Sequence, residues 1–227
     1  MALKIMGRKR GMVQLFDEKG NVVVCTVIEA EPNIVTQIKT KDNDGYDAVQ
    51  VGFEKIKAAN EQTLIARTTK PLRGHYKKAG VEPRRFLVET RITENEIGGY
   101  AIGQEIKVSA FAEIPFLDAT ATSKGKGYQG VMKLHNMRGG RATHGSGFHR
   151  HMGSTGMRST PGRCLPNGPR ASHMGDERVT VQNLKVVMIK EEDNLIVVKG
   201  QVPGPRNGLV YLQEAKKRPA SREKTKK

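Results

Sequence analysis

The sequence contains no tryptophan and only two cysteines, and the 57 residues between Asp118 and Asp176 include neither Asp nor Glu. Each absence excludes a class of protein. Neither cysteine sits in a Cys-x-x-Cys pair, which removes sequence-local zinc and dithiol redox motifs. Cys25, in an apolar run, and Cys164 are both expected to be unpaired thiols, with Cys25 in the core. No apolar run approaches the ~18 residues of a membrane-spanning helix. Met1 to Gly11 lacks the continuous apolar stretch of a signal peptide, so the expected location is cytoplasmic. The acid-free segment is also poor in core formers. Val131, Leu134 and Leu165 are its only Ile, Leu or Val residues, too few to offset the entropy of ordering it.

What that segment does hold is nine Lys or Arg, twelve Gly and five of the protein's six His. The formal charge of +16 is local. Residues 119–175 carry +9, a tail at 215–227 carries +6, and the remaining body has 23 basic against 22 acidic residues. A segment so charged calls for a polyanionic partner. An anionic membrane fits poorly, because the segment lacks an amphipathic period with bulky apolar anchors. Nucleic acid fits well: Lys and Arg neutralise phosphates, Arg and His planes stack on unpaired bases, and Gly permits close backbone approach. A solvated linker would contain some acids.

Along the body, Met12–Phe16, Val22–Ile28, Ile34–Ile38 and Tyr46–Phe53 read as strands separated by the turns Asp17–Asn21, Pro32-Asn33 and Asp42–Gly45, which predicts an antiparallel meander. Residues 54–100 are read as an insertion packed on those strands, with a helix at Glu54–Asn60 and a charged stretch at Lys70–Arg85 punctuated by Gly and Pro. Glu105–Phe111 is a further strand. Val179–Val187, Asn194–Lys199 and Leu209–Leu212 follow the excursion. The expected organisation is therefore 1–118 as the first part of a β domain, 119–175 as an extended basic loop, 176–214 as the strands completing the domain, and 215–227 as the tail. A long structureless loop inside a compact domain is usually functional or disordered. Its residues are expected to be mobile without RNA.

Three patterns in the loop imitate catalytic or ligand sites. Gly125-Lys126-Gly127-Tyr128-Gln129-Gly130 matches Gly-x-Gly-x-x-Gly, but Ala119–Thr122 before it does not read as an apolar strand and the next acid is Asp176. His144, His149 and His151 resemble a metal set but lack local carboxylates to orient them, so no metal is expected. The same lack counts against Ser146, Ser154 or Ser172 as nucleophiles. No catalytic constellation and no cofactor site follow. The residues assigned to RNA contact are Lys124, Lys126, Lys133, Arg138, Arg141 and His144, with His149, Arg150, Arg158, Arg163 and Arg170 beyond them.

Thr26–Ala30, Val35–Lys39 and Asp44–Gln50 closely resemble the N-terminal part of the bacterial large-subunit ribosomal protein L3 family, and Ser123–Gly130, Ala142–Ser146 and Gly175–Gln182 resemble later motifs of that family in the same order. The resemblance covers nearly the whole chain. It implies a mainly β fold with some α: a six-stranded β-barrel of the translation-protein type, an insertion, and a basic extension running through large-subunit (23S-type) rRNA toward the peptidyl transferase centre. It also implies a structural constituent that supports early subunit assembly, not an enzyme, with ribosomal proteins L fourteen and L nineteen as neighbours. A free RNA-binding regulator or RNA chaperone using the same loop is the alternative. Gly153–Gly162 resembles the family's tip. Some bacterial members carry a methylated glutamine immediately before Thr-Pro-Gly, where this chain has Ser159, with Arg158 beside it.

Overall fold

The computed structural model describes residues 3–166 and 168–218. Residues 219–227, most of the basic tail, lie outside the described residues. The chain forms two compact units, Met1–Thr122 with Val179–Lys227, and Ser123–Arg178.

Within the first unit, six strands form a closed ring: β1 (Ile5–Phe16), β2 (Val22–Glu29), β7 (Phe116–Thr122), β10 (Arg178–Lys190), β11 (Leu195–Lys199) and β12 (Leu209–Glu214). The order around it is β1-β12-β7-β10-β11-β2. A second sheet, in the order β5-β4-β3-β6, is built from β3 (Asn33–Lys39), β4 (Ala48–Lys55), β5 (Arg84–Arg91) and β6 (Glu105–Ile106).

The β1–β2 hairpin closes where Asp17 accepts backbone N–H bonds from Lys19 (3.0 Å) and Asn21 (2.8 Å), the geometry that lets a short polar residue reverse the chain. Beyond β2 the predicted meander stops. β3 pairs with β4 and β6, not with β2. Asn33, Ile34, Val35 and Thr36 are buried in succession, so both faces of β3 are covered and it sits between layers.

Asn33 shows how the layers join. Its side-chain oxygen accepts from Met6 N–H at 2.9 Å and its amide donates to Met6 O at 3.0 Å, so a buried side chain bonds both backbone groups of one residue in β1. Ile5, Met6 and Ile28 of the ring share one core with Val35, Val49 and Phe53 of the second sheet and with Phe111. At ~1.5–3 kcal/mol for each large side chain removed from water, that core supplies the main drive for assembly of this unit.

Among the described residues, the stretch read as an insertion contains the strand β5 and three helices, the last a single turn at Glu94–Ile97. β4 persists to Lys55, opposite Arg84 of β5, so Glu54–Asn60 is not helical. The helix begins later. Asn60 accepts from Thr63 N–H at 2.9 Å and caps Glu61–Arg67. A second helix, Lys70–Ala79, opens with Pro71 in its first turn, where a missing N–H costs nothing, and ends at Gly80 in the left-handed conformation. Glu105–Ile106 is strand, but Val108–Phe111 turns into a short 3-10 helix.

Candidate RNA-binding interface

The second unit begins and ends on a narrow ribbon. β8 (Gly127–Gln129) pairs antiparallel with β9 (Ser172–Met174), placing Tyr128 opposite His173. Lys126 N–H donates to Met174 O at 2.9 Å, Ser123 N–H to Glu177 O at 2.8 Å, and Tyr128 Oη to Ala171 O at 2.8 Å. Gly175 lies at φ +75°, and a Cβ there would stand 2.3 Å from Lys124 O, so this turn accepts glycine alone.

The glycine hexad is thus structural. Contrary to the sequence reading, Ala119–Thr122 is strand: it completes the buried β7. The hexad nevertheless leads into the ribbon and a single helical turn, Val131–Leu134, without the long helix a dinucleotide site requires. The acid-free stretch and the compact unit accordingly start at different residues, 119 and Ser123.

Beyond the ribbon the path is held by polar contacts. Gly140 N–H donates to His149 O at 2.9 Å, and a Cβ on Gly140 would fall 1.7 Å from Phe148 O. His149 Nδ1 lies 3.1 Å from Arg141 O and His135 Nε2 lies 3.0 Å from Arg170 O. A ring nitrogen facing a carbonyl must carry its proton, so Nε2 of His149 and Nδ1 of His135 are left for an outside partner. His144 sits at φ +67° and is exposed. Phe148 and His151 tilt against each other with centroids 6.0 Å apart. In the stretch Gly153–Gly162 Ser154 Oγ donates to Gly156 O at 2.7 Å. Val131 is the one buried residue among those described in this unit.

Every residue assigned to RNA contact is exposed: Lys124, Lys126, Lys133, Arg138, Arg141 and His144, then His149, Arg150, Arg158, Arg163 and Arg170. Among the described residues none of the nine Lys and Arg side chains makes an ion pair within the protein. Cations left exposed to water and unpaired within the protein keep their full demand for counter-charge. The histidines do not converge: among the described residues no group of three His, Cys, Asp or Glu is placed to hold a metal. Cys25 is buried and Cys164 exposed, both unpaired.

Sequence reasoning passed over Tyr128, 75% exposed, and Phe148, 41% exposed. Both offer an aromatic face to a base. An aromatic residue in a stretch without a core was the available signal.

No helix among the described residues is long and apolar enough to cross a membrane. The family model for ribosomal protein L3 matches residues 34–195. The chain is 67% identical to the large ribosomal subunit protein uL3 of Protochlamydia amoebophila over 217 residues, covering 96% of this chain and 92% of that one. It is 47% identical to the uL3 of Chlamydia felis, covering 94% and 96%, and 46% identical to that of Chlamydia trachomatis serovar D, with the same coverage. The matched span takes in the second sheet, the ring strands β7 and β10 and the whole basic unit, and the chain belongs to the ribosomal protein L3 family.

Proposed function

We propose that this protein is a structural constituent of the large ribosomal subunit that binds its rRNA and supports early assembly, without catalysing a reaction. The supporting observation is the set of nine exposed, internally unpaired cations on a unit whose acids, Asp176 and Glu177, lie at its base. Such a unit gains order when phosphates replace its counterions. In this reading residues 1–118 and 176–214 form a six-stranded barrel of the translation-protein type with an insertion at about 54–100, and 119–175 is the extension threading toward the peptidyl transferase centre. Arg158, at the tip, contacts a phosphate or a base. Proteins L fourteen and L nineteen are its neighbours in the cytoplasmic ribosome.

The test is binding of the purified chain to large-subunit rRNA across a salt series. A log–log slope reflecting several released counterions is expected, together with co-sedimentation with large subunits at high salt. Binding that ignores salt would overturn the reading. RNA binding lost from large subunits on a high-salt gradient would favour the free regulator. An Arg158 guanidinium lying in solvent, far from RNA, in the assembled subunit would remove its assignment.

A further inference from the structure

The near-neutral body is an average of two unlike parts. Residues 55–85 hold nine Lys or Arg and two Glu, a net +7; the rest of the body then has fourteen basic against twenty acidic residues, a net −6. Whole-body counting hides this. The basic stretch runs from the end of β4 through the two helices into the start of β5.

Four of its cations converge. Lys55, Lys57, Arg67 and Arg85 line a cleft of about 400 Å³, with Glu54 its only acid. That acid is already engaged: one Glu54 oxygen is 2.5 Å from Arg8, while the other is 3.9 Å from Arg85. Glu54 sits at φ +60°, a conformation costly for a non-glycine residue that the contact with Arg8 helps to hold. Arg85 also lies over the Phe86 ring, 5.4 Å from its centroid, which holds the guanidinium at the rim. Arg67 donates one N–H to the Lys57 carbonyl, fixing the link between strand and helix and leaving its remaining donors free. Lys55 pairs with Glu82 at 2.6 Å, but both side chains are largely exposed and such a pair yields readily to a stronger anion. Lys57 has no ion-pair partner among the described residues.

We propose that this cleft is a second RNA-phosphate site, on the body and separate from the basic extension, with Lys57, Arg67 and Arg85 as its principal phosphate ligands. The proposal rests on the reading of the chain as an rRNA-binding protein. Exposed Lys70, Lys77 and Lys78 on the adjoining helix extend the positive surface beyond one phosphate, which suits a nucleic-acid backbone better than a single small anion.

The experiment uses the full chain and large-subunit rRNA. Three proteins are compared in a salt series: the wild type, the triple variant K57Q/R67Q/R85Q, and an extension variant, R158Q/R163Q. The triple variant is expected to lower the log–log salt slope by about two to three, since each phosphate contact contributes ~0.9. An unchanged slope and affinity in that variant, with the wild type binding normally, overturns this site and leaves the rRNA-binding reading standing. Failure of the wild type to bind removes both. A measurement on the wild type alone guards against misfolding of the variant: lysine acylation with and without rRNA should show Lys57 protected in the complex, and an equally reactive Lys57 beside a protected Lys124 would overturn the proposal.

Discussion

The carboxylate of Asp118, the last acid before the 57-residue excursion, accepts a hydrogen bond of 2.9 Å from the backbone N–H of Asn183, 65 residues further along. Its second oxygen accepts from Lys216 N–H at 3.3 Å. Asp118 is 1% exposed and lies on β7, so one buried side chain ties the strand before the excursion to β10 after it and to the chain beyond β12. The Asp118→Ala variant leaves two backbone donors without their acceptor and is expected to lose about 2–4 kcal/mol of stability. Asp118→Asn, which keeps one acceptor oxygen, should lose less. Urea unfolding of both variants checks the order; equal stability of Asp118→Ala and wild type would refute it.

Gly175 sets the geometry at the base of the basic unit. Ala at this position meets a left-handed backbone, which costs ~1–2 kcal/mol for an L-residue, and a carbonyl 2.3 Å from its Cβ. The ribbon must open to admit it. Gly175→Ala is therefore expected to abolish amide protection at Lys126, whose N–H bonds Met174 O, while the ring strands keep theirs. Hydrogen exchange read residue by residue distinguishes this from a loss of global stability.

Much of the ring was legible because its strands are short runs of β-branched and apolar residues between turns. Val22–Ile28 and Leu209–Leu212 carry enough β-branched or apolar side chains to show, and Asp17–Asn21 announces its turn. β7 is absent from the strands read off the sequence, because Ala119, Thr120 and Ala121 are small: they are buried by their neighbours, not by their own hydrophobicity. The helix Lys70–Ala79 was hidden by Pro71 and Gly74, although a proline in the first turn is compatible with a helix. The division into two sheets depends on pairings such as Asn33 with Ile106, far apart in sequence, which no local pattern encodes. In the basic unit the cations themselves were legible. The tethers were not, since His149 meets Arg141 only after the chain turns back at residues the sequence marks merely as glycine-rich.

Order in the free protein should differ sharply between the units. With Val131 as the one buried residue among those described from Ser123 to Arg178, little apolar burial opposes opening. Amides at 135–170 are expected to exchange orders of magnitude faster than those of β1, β2 and β12, and to gain protection when rRNA is added. Equal protection in both regions of the isolated protein would contradict this.

Arg158 and Arg163 carry their own prediction. Both are exposed and unpaired among the described residues, so R158Q/R163Q should leave the melting temperature of the body unchanged. It should reduce the salt slope of rRNA binding by about two. An unaltered slope would show that neither residue displaces a counterion from RNA.

Glu89 should contribute to acid sensitivity. This carboxylate accepts from Lys39 Nζ (2.8 Å), Tyr46 Oη (2.9 Å) and Gln50 Nε2 (3.1 Å), across β3, β4 and β5. The bond from Lys39 is the main reason its pKa lies below the ordinary carboxylate value of 4.5; burial opposes it, and the bonds from Tyr46 and Gln50 each add a smaller lowering effect. A depressed folded-state pKa means that the stabilisation is fully present above the unfolded value and is lost as pH falls through the folded one. Lys39, raised by the same pair, stays charged throughout that range and adds no slope there; its share is lost only as pH rises through its own elevated pKa. Wild type should therefore exceed Glu89→Gln in stability at pH 7, with the gap narrowing below about pH 4.5 as the carboxylate takes up its proton. Thermal melts of the two proteins at pH 7, 5 and 3 measure that gap. A gap constant from pH 7 to pH 3 would mean that Glu89 contributes through packing and not through its charge.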